Sequence, residues 1–553
     1  MKKKIIIVFV TMLLIATTVL PVVGKINEKM YPINDTLLPP STEWRKFFGG
    51  NEFDHFHSVR QTDDGGFIAC GLTEESNEYF AWILKGDSNG DEEWRNINYD
   101  LNGTHLTNQE MGIAAFDVIE TSDNGFLISG VSVISVEYEG DIYWGPTGYF
   151  WKTDYKGDTE WIKHYYEVRE DGTYGVYWLY SVIEVEDGFV SGSMLINHIV
   201  DTGEIIDYNG SILKTDLSGN RLWYKEFDYG YPQYQHLTSI YQTSDGGYFL
   251  GGWVENERYI DHDDALWIVK TEDDGELDWE QLIDGPGFDF TSGKGFHETS
   301  DGGYLMNGVT NSYGNGFLDI WVIKTDENGK ELWNKTYGGK NTDYCWAMCK
   351  ADNDGFALGI CLNYGSSMTD DDVIIYECDE NGNIEWESRF ENEGIQVTRT
   401  INPTDDGGYI VSGMTSTQFG DPDCDAFVYK INPFDNGQPS KPTISGPRRV
   451  KPDTEYTYTA SSTDPDGQQL FYMWDWGDGN YSEWDDSPRA TYSWPDPEDK
   501  AIRVLVKDFY GYESEWSELF ITKTKNKAIN LQLFDFLKTH PILFQLFQRF
   551  LNL

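Results

Sequence analysis

Positive charge is scarce in this chain. Its 553 residues hold 41 Lys and Arg against 93 Asp and Glu, a net charge of -52. Such a molecule repels phosphate backbones and anionic lipid, which excludes nucleic acid as an expected partner. Cysteine is scarce too: six residues, unevenly spread, do not make the dense framework of a small disulfide protein. Past residue 23 no apolar run is long enough to cross a bilayer. Signatures of catalysis are missing, with no HExxH, no GxSxG and no phosphate-cradling Gly loop. These gaps favour a binding protein over an enzyme.

What the chain has in quantity is glycine and aromatics: 56 Gly, 20 Trp, 35 Tyr and 30 Phe. That mixture suits many short strands joined by Gly turns. A Gly-aromatic turn recurs seven times, ending at Phe67, Phe126, Phe189, Tyr248, Tyr304, Phe356 and Tyr409. The spacing fits one four-stranded sheet with its loops per repeat. Each turn is followed by a strand, a second Gly turn and a strand opened by Trp, at Trp94, Trp161, Trp223, Trp279, Trp333 and Trp386. The seventh repeat stops short of that last strand. Residues 43–50 (EWRKFFGG) match 332–339 (LWNKTYGG), so Trp44 is expected to open the missing strand. The expected fold is all-β: a seven-bladed β-propeller over residues 42–433, closed by an N-terminal strand, which removes sheet edges.

The Trp-bearing element resembles the tryptophan-docking repeat of quinoprotein-like propellers, and the array resembles secreted prokaryotic propeller proteins with DGGY-type repeats. The resemblance implies that each of the seven Trp packs between neighbouring blades. After a linker at 434–442, residues 443–523 carry WDWGDG at 474–479 and resemble the PKD family, an immunoglobulin-like β-sandwich. Residues 530–553 form a Leu- and Phe-rich tail, with one polar stripe after Pro541 that reads as an amphipathic helix; it resembles tails of some archaeal secreted proteins. The tail is expected to dock on the cell envelope or a partner. At the other end, Lys2, Lys3 and Lys4 precede an apolar run and a small-residue site, the pattern of a signal peptide over 1–24; an uncleaved anchor is the alternative. The expected setting is extracellular or cell-surface.

Candidate site residues gather on the loops opposite the Gly-aromatic turns. Tyr138, Tyr143, Trp144, Tyr259 and His262 are candidates for stacking on a sugar or gripping a peptide. Asp370, Asp371, Asp372, Asp423 and Asp425, with Asp464 and Asp466 in the PKD-like segment, are candidate Ca²⁺ ligands; turn-forming Asp is the plainer reading. His55 and His57 alternate on an inner strand and His236 occupies the position of His55 in its own repeat, so the three at the channel mouth are candidates for Zn²⁺ or Cu²⁺, against ordinary polar lining. If residues 352–355 close a hairpin, Cys345 lies opposite Cys361 and a disulfide becomes available. No other cofactor is expected. The leading functional reading is a non-catalytic binding or adhesion protein whose partner is a protein, a glycan or an envelope component. The alternatives are a secreted glycan- or peptide-processing hydrolase and, less favoured, a quinoprotein-like dehydrogenase.

Overall fold

The computed structural model describes residues 42–551 except 51, 77, 100–113, 139–140, 170, 200–204, 231–233, 256–263, 292, 352–353, 362–369, 372, 391–393, 417–423, 434–437, 466–468, 496–498, 509–511 and 524–530. Two compact units divide between residues 436 and 437.

The first unit is built from antiparallel meanders. The fifth repeat shows why. Strands Tyr304–Thr310 and Asp319–Thr325 are buried at every position, because other sheets cover both faces. The outer strand Glu331–Tyr337 keeps its first two residues exposed, as an edge facing water should. Between Asp319–Thr325 and Glu331–Tyr337 the chain turns at Gly329, whose φ of +75° suits glycine, and a Cβ added there would lie 2.5 Å from the Trp279 ring. Gly329 is thus needed for its backbone angle and for the close approach of a Trp from the preceding sheet.

The same contact recurs along the chain. Trp44 rests on Gly90, Trp94 on Gly157, Trp161 on Gly219, Trp223 on Gly275 and Trp333 on Gly382. Trp386 meets the turn aromatic Tyr409 at 6.0 Å between ring centroids. Each outermost strand therefore packs its Trp against the next sheet.

Sheets of four strands occupy residues 54–98, 235–283 and 344–390. An eight-stranded sheet is two meanders, 114–168 and 173–227, joined where Val168, Glu167 and Tyr166 pair with Tyr174, Gly175 and Val176. The sheet of residues 289–337 has its inner strand in two pieces, Asp289–Phe290 and His297–Glu298. The last sheet combines Gly394–Pro403, Tyr409–Ser416 and Cys424–Ile431 with Thr42–Phe48, which pairs antiparallel with Cys424–Ile431 from Thr42↔Ile431 to Phe48↔Ala426. The last sheet packs on the first: Asn402 Nδ2 donates to Val59 O and the Asp405 N–H to Gln61 Oε1, both at 2.7 Å.

A buried lysine sits in the third strand of nearly every repeat. Lys85, Lys152, Lys214, Lys270, Lys324 and Lys430 pair with Asp64, Asp123, Asp187, Asp245, Asp301 and Asp406 of the Gly-aromatic turns. Lys324 also donates to Thr325 O at 3.1 Å, while Asp301 accepts from Thr299 Oγ1 and the Gly303 N–H. Burial would raise the Asp301 carboxyl, but Lys324, Thr299 and Gly303 hold it at about 2. The sixth repeat has Glu377 at this place, and Glu377 accepts from Tyr409 Oη at 2.5 Å.

One expectation fails in the sixth repeat. A bulge at Trp346 sets Cys345 opposite Ile360 and Tyr344 opposite Cys361. That slip of one position sends the two sulfurs to opposite faces. Cys345 packs with Met348 and Ile374, Cys361 with Val397 and Met414, and neither is joined in a disulfide.

In the second unit, a three-stranded sheet faces a four-stranded one, strand orders 443–445, 456–461, 489–492 and 449–450, 517–523, 500–507, 471–475. The core holds Trp474, Trp476 and Trp494, with Trp476 stacked on Tyr492 at 4.6 Å. Asp475 accepts from Arg503 and the Gly477 N–H, which accounts for its place in the WDWGDG turn. The tail forms α1 (Leu531–Thr539) and α2 (Pro541–Leu551), which touch each other. Ile542 and Leu546 are exposed, at 78% and 58%.

Candidate functional site on the inner strands

The inner strand of each sheet departs from regular pairing at one place. Bulges fall at His57, Phe116, Tyr180, Thr238, Trp346 and Arg399, in the first, second, third, fourth, sixth and seventh repeats, the second and third being the two halves of the eight-stranded sheet. In the fifth sheet the strand breaks instead, around Lys294. All but Tyr180 stand ten residues before the turn aromatic of their repeat; Tyr180 stands nine before Phe189, whose turn is one residue shorter. These residues are half-buried between buried neighbours, such as Phe56 and Ser58 on either side of His57. A bulge re-aims a side chain, and here it turns one residue per sheet toward its counterparts.

They meet one another. The rings of His57 and Phe116 lie 5.4 Å apart, Phe116 and Tyr180 5.1 Å apart. The Arg399 guanidinium lies 4.6 Å from the Trp346 ring centre. Lys294 reaches from the fifth sheet to the second, where Nζ donates to Phe116 O at 2.6 Å and pairs with Asp117 at 2.9 Å. Asp117 is buried and also accepts from Ser58 Oγ at 2.7 Å, Arg60 and the Val182 N–H, so groups from the first, third and fifth repeats converge on one carboxylate of the second. Burial alone would raise this carboxyl; Lys294 and Arg60 hold it below the usual range.

Two residues before the bulges lie His55 and His236, in the first and fourth sheets. His57 Nδ1 lies 2.8 Å from Ala115 O, and a carbonyl only accepts, so Nδ1 carries a proton. His57 Nε2 then accepts from His55 Nε2–H at 2.7 Å, which leaves His55 Nδ1 as a buried lone pair with no protein partner. His236 lies apart, stacked on Trp253 at 4.6 Å, with Tyr180 Oη 3.3 Å from Nδ1. The three imidazoles expected as a metal set are therefore not brought together: two bond each other and the third is held by aromatics. Among the described residues no group of three His, Cys, Asp or Glu is placed to hold a metal.

Burial, with the cations Arg399 and Lys294 near, lowers His57 to about 3, and burial lowers His236 to about 4. A depressed imidazole binds its proton less well folded than unfolded. Its stabilisation is complete above the unfolded value near 6.5 and is lost as the pH falls from there toward 4. The melting temperature should drop between pH 7 and pH 4.5, and His236→Phe, which keeps the stack on Trp253, should shrink that drop by about 2 kcal/mol equivalent. An unchanged pH profile in the variant would remove His236 as a cause.

No protein-family model matches this chain, and no curated protein matches it. Among solved structures, the PKD domain of an M14-like peptidase from a Thermoplasmatales archaeon is 33% identical, covers 16% of this chain and all of that domain, with a TM-score of 0.16. An extracellular domain assigned to a hybrid two-component system of B. thetaiotaomicron is 11% identical over 85% of this chain and 68% of that one, with a TM-score of 0.27. The apocarotenoid oxygenase of Synechocystis is 10% identical over 69% of this chain and 89% of the enzyme, with a TM-score of 0.38.

Tyr259, His262, Asp372, Asp423 and Asp466 lie outside the described residues. Tyr138, Tyr143 and Trp144 belong to the hairpin Phe126–Tyr138 and Asp141–Thr153, and Asp370 and Asp371 to a two-residue strand beside Gly394 and Ile395; their backbones are described, their side chains are not. Asp425 faces Asp54 across the junction of the last and first sheets; burial raises the Asp54 carboxyl, against hydrogen bonds from Thr73 and Gly50, and Asp425 adds repulsion. Asp464 lies in the second unit. Reading from the sequence missed Phe116, Tyr180, Lys294, Trp346 and Arg399. Their shared offset from the turn aromatic was the available signal.

Proposed function

We propose that this is an exported, non-catalytic binding protein of the cell surface. Residues 42–433 form a seven-bladed β-propeller, and 443–523 form a PKD-like spacer. Seven successive Trp contacts, the last sheet's bonds to the first and the strand Thr42–Phe48 in the last sheet support the propeller. Residues 1–24 serve as the export signal, and the exposed Ile542 and Leu546 of α2 hold the protein at the envelope or on a partner.

One observation carries the binding role. The ends of the inner strands away from the Gly-aromatic turns are ringed by aromatics: Tyr208 against Tyr234 at 4.1 Å, His236 on Trp253, and Tyr344 on Trp346 at 5.4 Å. Such rings offer large flat faces at small entropic cost, the usual means of gripping sugars and peptides. A glycan and peptide array probed with the full chain, with and without Ca²⁺, tests the role. Capture of a defined glycan or peptide class is expected. Turnover of a captured ligand would replace binding by hydrolysis, and an array blank under both conditions would overturn the reading.

A further inference from the structure

The structure assigns Asn480, in the second unit, as the acceptor of an N-linked glycan. This rests on the export proposed above, because the donor, an oligosaccharide joined through phosphate to a polyisoprenoid lipid, reaches a chain only as it leaves the cytoplasm.

Five Asn-x-Ser/Thr motifs stand in the sequence, at Asn34, Asn102, Asn209, Asn334 and Asn480. A glycan is bulky and hydrated, so the fold decides which of them can carry one. Asn34 and Asn102 lie outside the described residues. Asn209 is buried in the strand Ile205–Thr215, opposite Leu195, and a Cβ added at the next residue, Gly210, would lie 2.4 Å from the Trp267 ring. A sugar on Asn209 would force these strands apart. Asn334 is half-buried within the outer strand Glu331–Tyr337, its Nδ2 donating to Glu331 Oε1 at 2.6 Å. Asn480 differs from both. It is exposed at a hairpin turn, between Gly479 at a φ of +90° and Tyr481, itself 57% exposed.

The bonds at Asn480 leave room for the transfer. Its Nδ2 carries two protons, one donated to Tyr492 Oη at 2.9 Å and the other directed to Asp478 Oδ1 at 3.2 Å. Nδ2 forms a bond to the anomeric carbon of the lipid-linked sugar as that carbon's bond to the phosphate oxygen breaks; the phosphate leaves with the electron pair, and Nδ2 gives up one proton. The proton lost is the one on the longer bond. The remaining N–H keeps Tyr492, Tyr492 Oη still donates to Asp478 Oδ2 at 3.1 Å, and the Trp476 N–H still closes the turn on Asn480 O at 3.1 Å. Ser482, which completes the motif, sets the timing. In the folded sandwich its Oγ accepts from the Trp474 N–H at 2.9 Å and donates to Glu483 O at 2.8 Å, so the hydroxyl is free to be read only before the hairpin closes, on the emerging chain.

Glycopeptide mapping of the full chain, exported from a host that makes N-linked glycans, tests this. Releasing the glycans with an amide-cleaving glycosidase in heavy-oxygen water turns each occupied Asn into a mass-labelled Asp. Most exported, folded molecules should carry the label at Asn480 and none at Asn209. Asn480→Gln should abolish the label there, while Ser482→Thr, which keeps the hydroxyl, should retain it. An exported parent protein bare at Asn480 would overturn the assignment and leave export standing. A folded molecule labelled at Asn209 would overturn burial as the rule that selects Asn480. A chain held inside the cell would overturn the export reading, and the acceptor with it.

Discussion

Removing residues 42–48 should lower the melting temperature by about 10 °C or leave the first unit unable to fold. The strand pairs along its length with Cys424–Ile431, buries Phe48 against Phe56 and Phe67, and lays Trp44 on Phe67 at 5.6 Å. Loss of one large buried aromatic costs roughly 3–5 kcal/mol, and this deletion removes the buried Phe48, the half-buried Trp44 and a ladder of backbone bonds. It also exposes Ala426, Phe427 and Val428, now fully buried, as an unpaired edge. The double variant Trp44→Ala, Phe48→Ala keeps the backbone ladder and should reproduce more than half of the loss. A truncated protein that melts within about 2 °C of the parent would sink the closure of the last sheet by this strand.

The second large effect is expected at Asp117. Replacing it by Ala should cost about 4 kcal/mol, because one buried carboxylate is the ion-pair partner of both Arg60 and Lys294 and also takes bonds from Ser58 and the Val182 N–H. The cations left behind remain half-buried, without the charge that balances them. Asp117→Asn keeps the shape and part of the bonding, so it should fall between Ala and the parent. Thermal melts at pH 7 decide the matter; an Asp117→Ala protein as stable as the parent would mean that water compensates both cations.

The repeats were legible because their signals are local. Positive-φ glycines such as Gly65, Gly246 and Gly302 mark the first turns, and a Trp four residues after the glycine of the second turn, as Trp94 after Gly90 and Trp333 after Gly329, marks the outer strand. The displaced strand at Trp44 was legible by its match to 332–339. The inner-strand cluster was not, and the reason is geometric. A bulge interrupts the two-residue alternation from which facing is read, so Phe116, Trp346 and Arg399 fell out of phase with their own strands. The same interruption displaced Cys345 from Cys361. The buried lysines were hidden for another reason: in DIWVIKT, Lys324 looks like the polar end of an apolar run, and only its partner Asp301 in the preceding turn explains why it is buried. His236 was aligned correctly with His55, but matching repeat positions place residues at the same height in different sheets, not beside each other.

The pairing of Thr42–Phe48 with Cys424–Ile431 bears on how the molecule is made. Its partners lie roughly 390 residues apart, so the first strand to emerge from synthesis or export must wait for the last. Until then it is a solitary edge strand carrying Trp44, Phe47 and Phe48, open to pairing with another copy. Its alternation answers that hazard: Glu43, Arg45 and Lys46 interleave the aromatics, and charged residues on a waiting strand discourage the wrong partner. Assembly should therefore have one slow, late, concentration-sensitive step, in which the two ends of the unit find each other, and any delay there favours exchange of the strand between neighbouring molecules.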